Sequence, residues 1–319
     1  MLSEHLKLHL KLDDITINAD DNSAPLKSAI VKDINGNEIP VFVDGEPKVV
    51  EDELFGKCLM FNGGSYFNIN NASELHNVNY GFTVSVWAKM MDIADIPNIA
   101  ITANPSYPTP LAFTDNISST GTMTQGYNVF VDSSSSKNLW TSSIGKGTTK
   151  GWYGISGLRA ITDSWTNLTI TYDATASNTL YLYINGQEQG QQSTEFVSVT
   201  TEKEMRIGAS ATMEGHGVYY FVGKIADLRI YDRALSDTEV WDMILSSMKI
   251  ENAEDITNRI NNLSNDDLIS LLTTMRQEKG LLEEIEYLDD QQREEIASAL
   301  KEYELDNNWK SMMEIFNIN

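Results

Sequence analysis

The sequence predicts a mainly β chain, with an antiparallel two-sheet sandwich over residues 1–235 followed by a small acidic all-α domain over residues 236–319. Three observations carry this. Short runs of alternating apolar and polar residues recur through the first part, tight-turn dipeptides separate them, and the apolar spacing switches from period 2 to period 3.6 after Ala234. The punctuation agrees: all seven prolines lie between Pro25 and Pro110, and 19 of the 20 glycines precede Ser236. Turns therefore belong to the first part and helices to the second.

The first strand signal is Leu6, Leu8, Leu10 and Leu12 alternating with His5, Lys7, His9 and Lys11, which puts both histidines on a wet face. A metal site at His5 and His9 is not expected, because no third ligand sits nearby in sequence. Asn35-Gly36 marks a hairpin between Ser28–Asp33 and Glu38–Val43. Alternation returns in Phe82–Ala88, Leu168–Tyr172 and Leu180–Ile184, and Asn185-Gly186 supplies the two positive φ values of a type I′ hairpin. Ser133–Ser136 reads as a loop between strands. No helical stretch is expected before residue 236. There, Ser236 and Glu239 form a capping box, and Trp241, Ile244, Leu245 and Met248 follow on one face. Further helices are expected from Asn252 or Ala253, from Ser264 and from Asp289, with a last short one around Trp309–Phe316.

The 319 residues, 41% of them hydrophobic, fit a folded chain of about two domains or one domain with an appendage. The net charge of −23 repels phosphate backbones and anionic headgroups, so neither nucleic acid nor a bare membrane is an expected partner. Residues 236–319 hold 20 acidic and 7 basic side chains and so more than half of that charge. No apolar run reaches the ~18 residues of a membrane-spanning helix, and residues 1–12 lack a signal-peptide core. The single cysteine, Cys58, excludes an internal disulfide and fits folding in a reducing compartment.

The stretch Phe221-Val222-Gly223-Lys224-Ile225-Ala226-Asp227-Leu228-Arg229-Ile230-Tyr231-Asp232-Arg233-Ala234-Leu235-Ser236 resembles the closing strand of the laminin G-like, concanavalin A-like jelly-roll family, which is also similar to the pentraxins. Matches in the same order occur at Asp33–Asn37, Gly56–Gly63, Phe82–Trp87, Trp165–Asp173, Leu180–Gly186 and Arg206–Gly208, while Pro97–Gly157 is less typical. The resemblance implies a jelly roll, places Trp87 and Trp165 in the core, and raises a structural calcium ion. Candidate ligands are Asp13, Asp14, Asp33, the carbonyls near Asn62 and Gly63, and Asp227. Ala226 stands where the family often has an acid, which argues against that ion. The same acids fit turns, which Asp and Asn favour.

Glucanases of this fold place carboxylates on alternate residues of one strand, as Glu-x-Asp-x-Glu, and that pattern is absent. Glu51-Asp52-Glu53 reads as a solvated acidic turn. The histidines His5, His9, His76 and His216 are scattered, and Cys58 reads as a core residue, so neither a triad nor a Cys-His pair has a scaffold. Gly145-Lys146-Gly147 and Gly151–Gly157 lack the context of a phosphate loop. An enzyme is not expected.

Sugars are held by aromatic faces and by Asn, Asp and Gln side chains that bond adjacent hydroxyls. Trp140, Trp152 and Tyr153, beside Asn128, Asp132 and Asn138 and behind a loop containing Tyr107, are the candidate ligand-binding residues. The competing reading is that the tryptophans fill the core. Tyr181 and Tyr183 either floor a groove or meet a second layer of side chains. The expected function is non-enzymatic, lectin-like recognition of a glycan or surface receptor by a protein displayed on a particle such as a virion or a contractile injection machine. The alternatives are a purely structural assembly protein and a glycan-cleaving enzyme without the usual motif. For residues 236–319 the readings are a lid, an oligomerisation element of a homo-oligomer, or a module that docks onto a protein partner.

Overall fold

The computed structural model describes residues 2–10, 31–39, 41–52, 54–70, 81–92, 107–116, 123–134, 137–148, 151–175, 178–196, 198, 204–211 and 217–247. Two compact units divide the chain, Met1–Val240 and Trp241–Asn319. The second begins inside helix α2 (Asp237–Ser247). The helices expected from Asn252 onward lie outside the described residues.

Strands are numbered in chain order. The first sheet runs β16 (Gln187–Ser193), β15 (Thr179–Ile184), β14 (Trp165–Asp173), β8 (Gly81–Met90), β20 (Val222–Tyr231), β6 (Gly56–Asn62) and β5 (Lys48–Asp52), with β1 (Leu6–Leu10) also paired to β20. The second runs β13 (Trp152–Arg159), β11 (Leu139–Gly145), β10 (Met123–Asp132), β9 (Leu111–Asn116), β17 (Met205–Ile207), β7 (Tyr66–Ile69) and β4 (Val41–Asp44), with β12 (Gly147–Thr148) paired to β10. Two short pairs, β2 (Val31–Lys32) with β3 (Glu38–Ile39) and β18 (Ser210–Ala211) with β19 (Gly217–Val218), stand apart. The expected antiparallel two-sheet sandwich is the fold. One turn of helix, α1 (Leu2–His5), precedes β1, where no helix was expected.

Alternation builds the core. On β8, Phe82, Val84, Val86 and Ala88 turn inward, and Tyr172, Ile170 and Leu168 of β14 stand directly opposite Phe82, Val84 and Val86 in register. The second sheet supplies Phe113, Tyr127 and Val129. The Phe82 and Tyr127 rings stack across the gap at 5.2 Å, and burial drives the Tyr127 phenol well above its usual pKa. Cys58, on β6, is fully buried, which pushes its thiol up to about 12.

Turn chemistry sets the connections. Asn185 and Gly186 both adopt positive φ, and Ile184 pairs with Gln187, the type I′ hairpin expected. The Asn35-Gly36 hairpin forms by another route: a turn closed by the Gly36 N–H donating to the Asp33 carbonyl is followed by Gly36 at φ +85°, with only Gly36 left-handed. Asp33 stabilises it by accepting from the Asn35 and Asn37 N–H groups. At Gly208 (φ +89°), a Cβ would lie 2.4 Å from the Phe61 ring, so only glycine fits.

Two features of the first sheet's outer face differ from expectation. Trp87 and Trp165 are buried, but they lie outside the intersheet core, clustered with Phe55 at centroid distances of 5.3 and 4.7 Å. Asp52 is not a solvated turn residue. Its carboxylate accepts from Trp165 Nε1 at 3.2 Å and pairs with Lys224 Nζ at 2.9 Å. The segment after β20 returns over this face: the Thr83 hydroxyl donates to the Arg233 carbonyl and accepts from the Leu235 N–H, and the Tyr183 hydroxyl donates to Asp237. Tyr183 therefore meets a second layer and floors no groove.

The capping box closes as expected, with the Ser236 N–H donating to Glu239 and the Glu239 N–H to Ser236 Oγ. Two hydrogen bonds from the Arg233 guanidinium, working against partial burial and helped by the Ser236 N–H, lower the Glu239 pKa to about 2.

Replacing Gly208 by Ala is expected to cost more than about 2 kcal/mol, because left-handed strain adds to overlap with Phe61. Gly36→Ala, with open space around it, should cost only about 1 kcal/mol in the same urea unfolding experiment. Because the folded pKa of Glu239 lies below its ordinary value, its contribution is complete above about pH 4.5 and is lost as pH falls towards 2. The stability gap between wild type and Glu239→Gln should accordingly close across that window in acid titrations of the unfolding midpoint.

Candidate functional site

The second sheet turns its outer face away from the core, and strand parity fixes what it presents. On β10, Tyr127, Val129 and Val131 point inward, so Asn128, Phe130 and Asp132 point outward. Asn128 stands opposite Ala112 on one side and Ser143 on the other. The row continues from Ala112 to Arg206 and Asn68, and from Ser143 to Gly154. The middle of this row is filled: Ala112 is 1%, Arg206 3% and Asn68 4% exposed. Its accessible part lies beside β10. Tyr107, Asn128, Phe130, Asp132 and Tyr219 are all half-buried.

Aromatic contacts hold that part together. The Tyr107 ring meets Phe130 edge-to-face at 5.7 Å and Tyr219 at 5.3 Å. Backbone bonds fasten the loop that carries Tyr107, with the Thr109 N–H donating to the Tyr219 carbonyl and the Val131 N–H to the Pro108 carbonyl. Asn128 accepts from the Ser143 hydroxyl, which orients its amide, and Asp132 accepts from the backbone N–H and hydroxyl of Ser134. One end of the candidate set is thus a rigid surface of rings with two polar groups.

The other expected residues divide. Trp152 is half-buried at the start of edge strand β13, opposite Gly145 and on the outward parity. Tyr153 is 40% exposed, with Lys146 Nζ 3.3 Å from its ring centroid. Asn138 occupies the turn before β11 at φ 48°, and its carbonyl accepts from the Ala160 N–H. Trp140 does not belong to a binding surface. It points inward beside Ser142 and Ile144 and is 1% exposed, with no hydrogen-bond partner for its indole N–H among the described residues. No sugar can stack on a ring enclosed on both faces. Sequence alternation along β11 marked one face against the other but not which was inside. Phe130 and Tyr219 were missed; the alternation of β10, with valines at 129 and 131, was the available signal for Phe130.

The calcium ligands do not converge. Asp13 and Asp14 lie outside the described residues. Asp33 is spent on its own hairpin, with its pKa lowered chiefly by the Asn37 side-chain bond. The Asn62 Oδ1 accepts from the Gly64 N–H and Ser65 Oγ, and Gly63 is a turn residue at φ +82°. Asp227 sits in another strand, in a bulge of β20 between Ala226 and Arg229, at φ 48°. Its carboxylate is bound by Arg229 Nε at 2.9 Å and by His9 Nε2. The protein's own Arg229 and His9 thus take the place a metal would need, and the residues present do not fit the ion. Among the described residues no three His, Cys, Asp or Glu side chains gather into a metal site. His9 is correspondingly not on a wet face, and His5 pairs with Asp232. Burial works to raise the Asp227 pKa, but the Arg229 charge and the His9 bond outweigh it and hold the carboxyl below its usual range. Burial likewise opposes the Arg229 charge, and Asp227 overcomes it.

A two-sheet antiparallel sandwich with a filled core is the architecture shared by concanavalin A-like lectins and glucanases. The chain belongs to the concanavalin A-like lectin/glucanase superfamily, whose Laminin_G_3 family model matches residues 61–241. No curated protein sequence matches it. Solved structures with the same fold include the binding domain of Paraclostridial Mosquitocidal Protein 1, at 16% identity and TM-score 0.53 over 77% of this chain and 53% of that one. They also include the receptor binding domain of a botulinum neurotoxin C/D mosaic serotype, at 16% identity and TM-score 0.52, with coverages of 78% and 52%. A third is the binding domain of botulinum neurotoxin DC in complex with SialylT, at 14% identity and TM-score 0.52, with coverages of 78% and 53%. The chain spans about half the length of these structures, and at such identities the likeness is one of fold.

Asp227→Asn takes from the buried Arg229 the carboxylate it is paired with, so it should lower stability by about 3–5 kcal/mol. The double variant Asp227→Asn/Arg229→Met should recover most of that loss in chemical unfolding.

Proposed function

We propose that this protein is a non-catalytic glycan-recognition protein that binds a carbohydrate, free or on a surface receptor, on the outer face of its second sheet. The observation that carries this is the half-exposed ring cluster of Tyr107, Phe130 and Tyr219 beside Asn128 and Asp132. Rings stack on the apolar face of a sugar, and Asn128 and Asp132, about 13 Å apart along β10 at ~3.3 Å per residue with Phe130 between them, offer hydrogen bonds to hydroxyls on either side of that stack. Trp152, on the same face, extends the platform towards the sheet edge. The binding domains that share the fold, one of them in complex with SialylT, support recognition over hydrolysis. So does the absence of the Glu-x-Asp-x-Glu pattern from the sequence.

In this reading the acidic residues 236–319 attach the sandwich to a larger particle, and a virion or injection machine is the proposed setting. That part is tested by looking for the protein in purified particles. One observation favours the rival structural role: the centre of the outer face, at Ala112, Arg206 and Asn68, is already filled by the chain's own side chains.

A glycan array probed with the full-length chain decides between them. Binding is expected, insensitive to chelator, and Phe130→Ala and Trp152→Ala should each weaken it about tenfold, or about 1.4 kcal/mol. Trp140→Ala should instead cost stability, by about 3–5 kcal/mol. An array that stays silent with a folded protein would favour the structural role.

A further inference from the structure

The charge pattern of the second sheet narrows the ligand, resting on the glycan-binding reading above. We infer that the ligand is an anionic glycan whose carboxylate or sulfate groups meet the β11–β13 edge of the second sheet.

The chain carries −23, yet residues 133–162 hold Lys137, Lys146, Lys150 and Arg159 and no acidic residue. Residues 116–131 are uncharged, so Asp132 is the only carboxylate between Asp115 and Asp163. The topology turns this stretch of sequence into a patch of surface. β10, β11 and β13 follow one another by antiparallel pairing and form one edge of the sheet. The strands that close the other ends of the two strand orders carry carboxylates: Asp44 on β4, Glu51 and Asp52 on β5, and Glu188 on β16. β13 carries none, and ends in the exposed Arg159.

Cations and rings coincide there. At one end of the β11–β13 ribbon Lys146 lies over the exposed Tyr153, while Trp152, opposite Gly145, stands on the other face of the same edge strand. At the other end Leu139 pairs with Arg159, and exposed Lys137 precedes Leu139 by two residues. The seven residues of β11 separate the two ends by roughly 20 Å, at ~3.3 Å per residue, the reach of a short oligosaccharide. Asp132, the one carboxylate in this stretch of sequence, accepts two bonds from Ser134. Outside this patch the surplus of acidic groups repels an extended polyanion, which disfavours nucleic acid and anionic bilayers and leaves a short acidic glycan as the fitting ligand.

The test titrates full-length protein with four probes: a sulfated heparin-derived oligosaccharide, oligogalacturonate, oligosialic acid and a neutral maltooligosaccharide. An acidic probe is expected to bind, and the choice between sulfated and carboxylated probes identifies the group recognised. Its affinity should fall about tenfold between about 50 and about 300 mM salt. Lys146→Gln and Arg159→Gln should each weaken it several-fold with an unchanged unfolding midpoint, and Lys146→Arg should retain it. Binding of the neutral probe alone, lost in Phe130→Ala, would overturn the anionic ligand and keep the glycan reading. Binding of no probe and no array glycan would overturn both. Acidic-probe binding that ignores Lys146→Gln and Arg159→Gln, or that a single-stranded oligonucleotide matches, would also overturn the inference.

Discussion

Strand β20 changes partner half-way along, and the contact that permits this is the pairing of Asp227 with Arg229 and His9. Its first residues, Val222 to Ile225, pair with β6, and its last, Leu228 to Tyr231, pair with β1, while β8 runs along the opposite edge throughout. Between them Asp227 takes a left-handed conformation that disfavours a side chain by about 1–2 kcal/mol. The Arg229 guanidinium and the His9 imidazole bound to its carboxylate offset that strain. The bulge lets Ile225 and Leu228 both face the core, and it sets the direction in which Arg233 to Ser236 return over Thr83.

That return assigns the two outer faces different work. On the first sheet, Thr83, Ser85, Asn167 and Thr169 are small and polar, as a solvent face would be, yet all are buried and the last three bond to one another. This face is closed by a polar network, so the recognition proposed above falls to the second sheet, where the side chains beside β10 stay half-exposed.

Much of the sandwich was legible because its signals are local. Asn185-Gly186 carries its own turn, Ser236 and Glu239 carry their own cap, and alternation marks β8, β14 and β15 without reference to anything distant. The misreadings share a different property. His9 meets Asp227 across 218 residues, and Asp52 meets Lys224 across 172, so nothing near either residue announces its partner. Trp140 and Trp152 look alike in sequence, and only the register of β11 against β10 and β13 turns one inward and leaves the other at the edge. At Asn35-Gly36 the dipeptide marked the hairpin, while Asp33 selected the turn by capturing the N–H groups of Asn35 and Asn37.

Cys58 is the chain's only thiol, fully enclosed on β6 and held protonated far above neutral pH. Alkylating reagents attack the thiolate, so the folded sandwich is chemically silent to them and reacts only when β6 is exposed. The molecule therefore carries a built-in clock for its own opening: the rate at which it takes up a maleimide reads how often the core parts, without any added label site.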